Sequence, residues 1–344
     1  MIESRKREGK HRARRCRGPA HRRSRCPPSR MASSVAAHDA LDNPGTLQFE
    51  TIRGRYSLPA DPDWDRVVRR AARKSKDFRI LGSRAGDLYM YTDPIRVFWV
   101  PGCSACVKTK EFLTSLGVPF ESVNLLENEQ GAADLAKLGA KSLPVVSRGE
   151  KFTFAQSLDQ VAEFVGRKRD GVERLPPEEL HRRWQEFLAV ARSLIVEIPV
   201  DKLGHHPIPN RLERTVLGLA YHIFQIPDVF VRNVAGEFED WAHYVNLPAP
   251  DDMKNNADIL AFADASIATL TGWWDGLQDR ACLWTVRTYY GVRSGWEVLE
   301  RQTWHSAQHT RQLQAVLEGF DIPLSKTVDA KLYDGLPMPV ALWE

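Results

Sequence analysis

Residues 95–167 fix the order of structural elements more tightly than any other part of this sequence. IRVFWV, residues 95–100, is a continuous apolar run, the pattern of a strand buried on both faces. PGC then turns into a helix, SACVKTKEFLTSLG, which stops at Gly117. VPFESVNL alternates and reads as a second strand. NEQGAADLAKLG is a helix ending at Gly139. SLPVVSRGEKFTFAQ is two short strands joined at Arg148-Gly149. SLDQVAEFVGRK is a last helix, with Ser157 as N-cap and Asp159 in its first turn. The predicted order is β-α-β-α-β-β-α.

Cys103 and Cys106 stand three apart where the first strand hands over to the first helix. A thiolate at a helix N-terminus is stabilised by unpaired backbone N–H groups and by the helix dipole. Cys103 lies there and is expected to be the nucleophile. Cys106, one turn further in, is expected to be less exposed and to resolve a mixed disulfide. Half of a zinc site is one alternative, but the chain holds no second cysteine pair to complete it. Two packed core cysteines are another, and Gly102 and Pro144 argue against it.

This order of elements with Cys103-Ser104-Ala105-Cys106 resembles glutaredoxin, within the thioredoxin superfamily, over about 75 residues. The family often has proline and an aromatic between its cysteines, where this chain has Ser104 and Ala105. The resemblance implies a thioredoxin-like α/β domain and thiol–disulfide exchange. It implies a cis-proline beside the active site within Leu143-Pro144-Val145. It implies a low-molecular-weight thiol such as glutathione, held there and at the turn Phe154-Ala155-Gln156-Ser157, with Ser157 and Asp159 as contacts.

The polar stretch RDGVERLPPEEL, around residues 169–180, reads as a domain boundary. Everything after it looks helical. PPEELHRRWQEFLAVARSLIVEIP opens on prolines suited to a first turn, and Leu180, Trp184, Phe187, Leu188, Ala191 and Leu194 follow spacings of three and four. RLERTVLGLAYHIFQIPDVFVRNVAG is a second helix, kinked or ended near Pro227. NNADILAFADASIATLTGWWDGL is a third, and GWEVLERQTWHSAQHTRQLQAVLEGF a fourth, stopped by Gly319. Four such segments predict a four-helix bundle.

His305 and His309 are four apart on the fourth helix, so both face one way and can share a metal ion. His222, in an apolar run of the second helix, is the candidate third ligand, and taken alone it also reads as a core histidine. Three imidazoles from two helices make an open site for Zn²⁺ or Ni²⁺. His205, His206 and His243 read as surface residues. Trp273, Trp274, Trp284, Trp296 and Trp304 read mostly as core, those near His305 as walls for an apolar substrate.

This segment resembles the DinB/YfiT-like family over residues 175 to about 320. The motifs are a histidine late in the second helix (His222) and His-x-x-x-His followed by Gln-Leu in the fourth (His305, His309, Gln312, Leu313). The family includes metal-dependent transferases that use low-molecular-weight thiols. The resemblance therefore implies a divalent metal on the three histidines.

Composition sets the outer limits. The chain has 344 residues, 43% hydrophobic and 27% charged, enough to bury a sizeable core. Its net charge of +4 comes from residues 1–30, whose twelve Lys/Arg and two Glu give +10 and leave −6 for the rest. That arm is too charged to fold alone and lacks an apolar signal core; it reads as a disordered or mis-started extension ahead of Met31. Beyond it only Cys103, Cys106 and Cys282 remain, which suits a reducing cytoplasm and a working thiol pair. Cys282 reads as an inert buried thiol. Nucleic acid and membranes are not expected as partners.

The expected architecture is an α+β/α multidomain chain. It comprises a basic extension (1–44), a small α+β appendage (45–93), a thioredoxin-like (glutaredoxin) α/β domain (94–168), an all-α up-down four-helix bundle (175–322) and a tail (323–344). The expected function is a thiol-dependent enzyme. A metal on His222, His305 and His309 would activate a low-molecular-weight thiol for transfer, or for thiol-assisted isomerisation or lysis, while Cys103 and Cys106 exchange disulfides. Its partners would be that thiol and a small electrophile or disulfide, with a homodimer as a candidate assembly. One alternative is a disulfide reductase whose helical part recruits a target or dimerises; another is a metal or redox stress sensor without turnover.

Overall fold

The computed structural model describes residues 93–169, 174–208 and 214–343. The expected extension at 1–44 and nearly all of the appendage at 45–93 lie outside the described residues.

The first part follows the predicted order. Strands β1 (Ile95–Trp99), β2 (Phe120–Asn124), β3 (Val145–Arg148) and β4 (Lys151–Phe154) alternate with helices α1 (Ser104–Ser115), α2 (Glu129–Lys137) and α3 (Leu158–Phe164). The sheet order is β2-β1-β3-β4. β1 runs parallel to β2, with Val97 opposite Ser122, and antiparallel to β3, with Val97 opposite Val146. β3 and β4 form a hairpin. Successive β1 side chains leave on opposite faces. Ile95 and Val97 therefore pack with Leu113 and Val161, while Phe98 packs with Val123, Leu135 and Val145. Gly117 and Gly139 close α1 and α2 at φ +64° and +71°, a region costly for any residue with a Cβ.

The second part is mostly helical. Four long helices, α4 (Pro177–Glu197), α5 (Val216–Val234), α7 (Asn256–Gly276) and α8 (Gly295–Glu318), are joined by a short α6 (Trp241–Val245) and a hairpin, β5 (Thr285–Thr288) and β6 (Gly291–Ser294). α8 packs on α4 and α5, and α7 packs on the same two. All six apolar positions predicted for α4 are fully buried. Capping boxes at Asn255/Asp258 and Ser294/Glu297 start α7 and α8.

Three local expectations are corrected. α5 runs unbroken through Pro227: the missing N–H costs one hydrogen bond, but Ile223, Phe224, Ile226 and Phe230 are fully buried on either side and hold the helix. α5 begins at Val216, after the Thr215 N-cap, so His222 lies in its second turn rather than late in the helix. Gly319 ends α8 at φ −66°, and the left-handed residue of that reversal is Asp321 at φ 57°.

The two parts meet over a broad contact. Ala105, between the two cysteines, belongs to the core of the helical part, and Cys103 and Phe154 pack against that core. The tip of the β5–β6 hairpin adds Tyr289, edge-on to Phe154 at 5.2 Å. The tail lies along α8 and reaches α1: Gln308 and Gln312 donate to the Leu342 carbonyl, and Glu111 accepts from the Val340 and Ala341 amides.

Gly131 of α2 decides a sign. Helix propensity alone favours alanine there by about 1 kcal/mol. A Cβ at 131 would lie 2.2 Å from Cγ1 of Val123, a buried side chain fixed at χ1. Overpacking of that kind costs about 1–3 kcal/mol. Gly131→Ala is therefore expected to lower the urea midpoint, against the propensity scale.

Candidate functional site

Cys103 is the N-cap of α1, and its Sγ accepts a hydrogen bond from the Cys106 amide at 3.2 Å. No acidic residue stands in the first turn of α1, so the helix N-terminus keeps its attraction for a thiolate. The two cysteines are joined as a disulfide. Cys106 is fully buried and Cys103 only partly, the exposure order expected from their places on the helix. The Leu143-Pro144 peptide is cis, as the resemblance implies.

Cys103 opens into a cavity of about 70 Å³ whose other wall comes from the helical part. His222, His305 and His309 line that same cavity. Their ligand nitrogens lie within 4.8 Å of one another, and all three side chains are buried. The tryptophans expected to wall it do not: Trp304 contacts His305, but the indole lining the cavity is Trp241.

Hydrogen bonds orient the three rings and fix the protons on His305 and His309. Gln225 Nε2 donates to the Tyr244 and Leu247 carbonyls, so its Oε1 is the atom 3.2 Å from His222 Nδ1. Gln312 Nε2 donates to the Leu342 carbonyl, so its Oε1 is the atom 2.6 Å from His309 Nδ1. An amide oxygen only accepts, so His222 faces two acceptors, Gln225 Oε1 at its Nδ1 and the Val245 carbonyl, and His309 carries the proton on Nδ1 and presents a bare Nε2. His305 is the reverse. Arg301 Nη1 donates to its Nδ1 at 3.1 Å, leaving the proton on Nε2, 3.1 Å from His309 Nε2.

Burial holds these imidazoles neutral. It lowers His222 and His305 well below the usual histidine value, aided by Arg214 and Arg301 respectively, and with Arg214 it takes His309 down to about 3. Arg301 is itself buried, and no carboxylate among the described residues pairs with it. It donates from Nε and Nη2 to Gln156 Oε1 at 3.0 and 2.7 Å and lies 4.1 Å from the Trp241 ring centroid. The Gln156 amide donates in turn to the Leu143 carbonyl at 2.8 Å.

The structure divides the expected thiol contacts. Leu143 lines the Cys103 cavity, while Val145 is fully buried in β3. Ser157 occupies the N-cap of α3 but makes no side-chain capping bond. Ser157 and Asp159 line a second cavity with Lys108 and Glu300, and the Asp159 carboxylate is paired with Arg169 and Arg174. Gln156 lines both cavities. His205, His206 and His243 are exposed, and Cys282 is buried with its thiol pushed up to about 11 by desolvation and Asp279.

Sequence reasoning missed Trp241, Arg214 and Arg301 as site residues, and named Gln156 only as part of the thiol-binding turn. Arg301 had a usable signal: it stands four before His305, on the same helix face. Trp241 lies in a stretch whose charged neighbours make it look like surface.

A cysteine pair at a strand–helix junction, with a cis-proline beside it in a β2-β1-β3-β4 sheet, defines a thioredoxin-like domain. Residues 95–153 match the glutaredoxin family model, so the chain carries a glutaredoxin domain. A stretch of 54 residues, 15% of this chain, is 37% identical to the Gene 56 protein of Mycobacterium phage L5. The match spans about half, 52%, of that protein's length. No described helix is long and apolar enough to cross a membrane.

Truncating Gln156 is expected to cost far more than truncating a surface ion-pair partner. Gln156→Ala strips the acceptor from a buried guanidinium, a loss on the order of 3 kcal/mol in urea unfolding. Arg182→Ala, which removes half-exposed partners of Glu179 and Glu186, is expected to cost less than about 1 kcal/mol.

Proposed function

We propose that this chain is a thiol-dependent enzyme whose glutaredoxin domain exchanges disulfides inside a cavity shared with three histidines. The observation that carries this reading is that Cys103 and His222, His305 and His309 line one cavity. The proposed division is a glutaredoxin domain over 94–168 and a DinB-like helical domain over 175–322; the four long helices and the histidine group support the second.

In the dithiol form, the Cys103 thiolate attacks one sulfur of a small disulfide and releases one thiolate. Cys106 attacks Cys103 Sγ in the mixed disulfide, releases the second thiolate and leaves Cys103–Cys106 oxidised. Two electrons pass from the cysteine pair to the substrate, and the released thiolates take up the two protons the cysteines lose.

The donor set at the histidines fits a borderline cation such as Zn²⁺ or Ni²⁺. Gln225 and Gln312 hydrogen-bond Nδ1 of two of the rings, as ligand-supporting residues do. A cation held there would lower the pKa of a bound low-molecular-weight thiol. His305 would have to move its proton to Nδ1, which asks Arg301 Nη1 to turn away. That requirement favours a second reading, a disulfide reductase in which the helical part only shapes the substrate cavity.

Two measurements test these readings. Cys106→Ser, reduced and mixed with a small disulfide, is expected to accumulate an adduct of one thiol mass on Cys103, while Cys103→Ser forms none. Without the Cys103 adduct the exchange reading fails. The purified protein is expected to hold about one zinc or nickel per chain, lost in His305→Ala and His309→Ala, with Gln312→Ala binding roughly tenfold more weakly. Absence of metal, together with no uptake on addition, leaves the reductase reading.

A further inference from the structure

Residues 339–342 of the tail are held by their main chain. Arg311 Nη2 donates to the Pro339 and Ala341 carbonyls at 3.1 and 3.0 Å, and Gln308 Nε2 donates to the Leu342 carbonyl at 3.0 Å. Gln312 Nε2 donates to the same Leu342 carbonyl at 2.8 Å. These three side chains belong to α8. Glu111, on the helix that Cys103 caps, accepts from the Val340 and Ala341 amides at 2.7 and 2.8 Å. Val340 is 87% exposed, so the segment is gripped by its backbone rather than by this apolar side chain. The bonds from Arg311 and to Glu111 are charge-assisted, the stronger kind.

The place of that backbone decides how Gln312 meets His309. A glutamine amide has two ends of nearly equal size, one an acceptor and the other a donor. The Leu342 carbonyl only accepts, so it draws Nε2 and leaves Oε1 to the His309 Nδ1–H at 2.6 Å. Gln312 is 1% exposed, so little water can stand in for that carbonyl. Without it the amide is free to turn over and set an N–H against the N–H of the ring. We infer that Glu111 and the tail segment it holds are positioning elements for His309. Glu111 sets the register of the segment, the segment places the Leu342 carbonyl, and the carbonyl selects the end of Gln312 that faces the ring. Through this chain the histidine group answers to the placement of α1, the redox helix. The inference rests on the proposed metal site in that His309 is one of its candidate ligands, while the positioning itself needs no metal.

The positioning can be read on the metal-free, full-length protein by magnetic resonance of nitrogen-labelled histidine. The His309 Nδ1 proton sits in a short bond to Gln312, so its signal is expected far downfield and slow to exchange with solvent. Glu111→Ala is expected to move that signal upfield and to speed its exchange. Glu111→Gln keeps one accepting oxygen and is expected to move it less. His181, whose partners are Trp274 and Gln185, is expected to keep its ring signals in both variants. A His309 proton unmoved by Glu111→Ala, or an equal disturbance at His181, overturns the inference.

A second arm titrates the same proteins with Co²⁺, followed by its visible absorption. Glu111→Ala is expected to weaken binding about threefold to tenfold, and no more than Gln312→Ala does. Glu111 acts through the Gln312 amide, so adding Glu111→Ala to Gln312→Ala is expected to cost nothing further. Wild-type affinity in Glu111→Ala, or losses that multiply in the double variant, overturn the positioning role. If the wild type takes up no Co²⁺ while the His309 proton still responds to Glu111→Ala, the metal reading fails and the positioning role stands.

Discussion

Ten consecutive residues of α8, 301 to 310, are buried, and eight of them are polar. A helix enclosed on every side cannot leave its polar atoms to water, so most of them are met within the helix or by another part of the protein, Gln308 Oε1 being an exception. Thr303 and Thr310 turn back on the carbonyls of Leu299 and Ser306. Ser306 accepts from the fully buried Trp184 indole of α4 at 2.8 Å. Gln308 donates to tail carbonyls, and Arg301 reaches across to Gln156 of the glutaredoxin domain. One polar helix thus holds α4, the tail and the redox domain in place.

The same enclosure explains what could be read in the sequence. Residues 95–167 were legible in order and nearly in boundary, because a sheet with helices on both faces writes its burial into apolar runs and its turns into glycines. The long helices were legible for a similar reason, as in α4, where every third or fourth residue is apolar and buried. The pairing of Cys103 with the three histidines was not. It depends on Ala105 entering the helical core and on Gln156 meeting Arg301, 145 residues away, two long-range contacts that no local period encodes. Gln302, Gln308 and Gln312 look like a solvated face and are in fact interior. A helix buried all round by polar partners has no apolar stripe to betray it.

The cavity itself joins two kinds of chemistry. On one side a thiol pair sits at a helix N-terminus. On the other stand three uncharged imidazoles held by their neighbours, two by glutamine and one by arginine. Arg301 matters to both sides. It anchors Gln156, whose amide holds the Leu143 carbonyl next to the cis-proline, and it dictates which nitrogen of His305 bears the proton. A shift in its position would be felt at the sulfur and at the imidazoles together.

The tail gives this arrangement an order in time. Gln312 is aimed at His309 because its other end donates to the Leu342 carbonyl, and the Val340 and Ala341 amides are held by Glu111 of α1. A ribosome making this chain releases the cysteine pair more than two hundred residues before Leu342. Throughout that interval the helical wall over the cysteine pair is incomplete, and Gln312 lacks the carbonyl that aims it at His309. The redox centre is therefore synthesised before the second wall of its cavity, which residues 214–309 supply, and the tail completes only the hydrogen bonding behind His309.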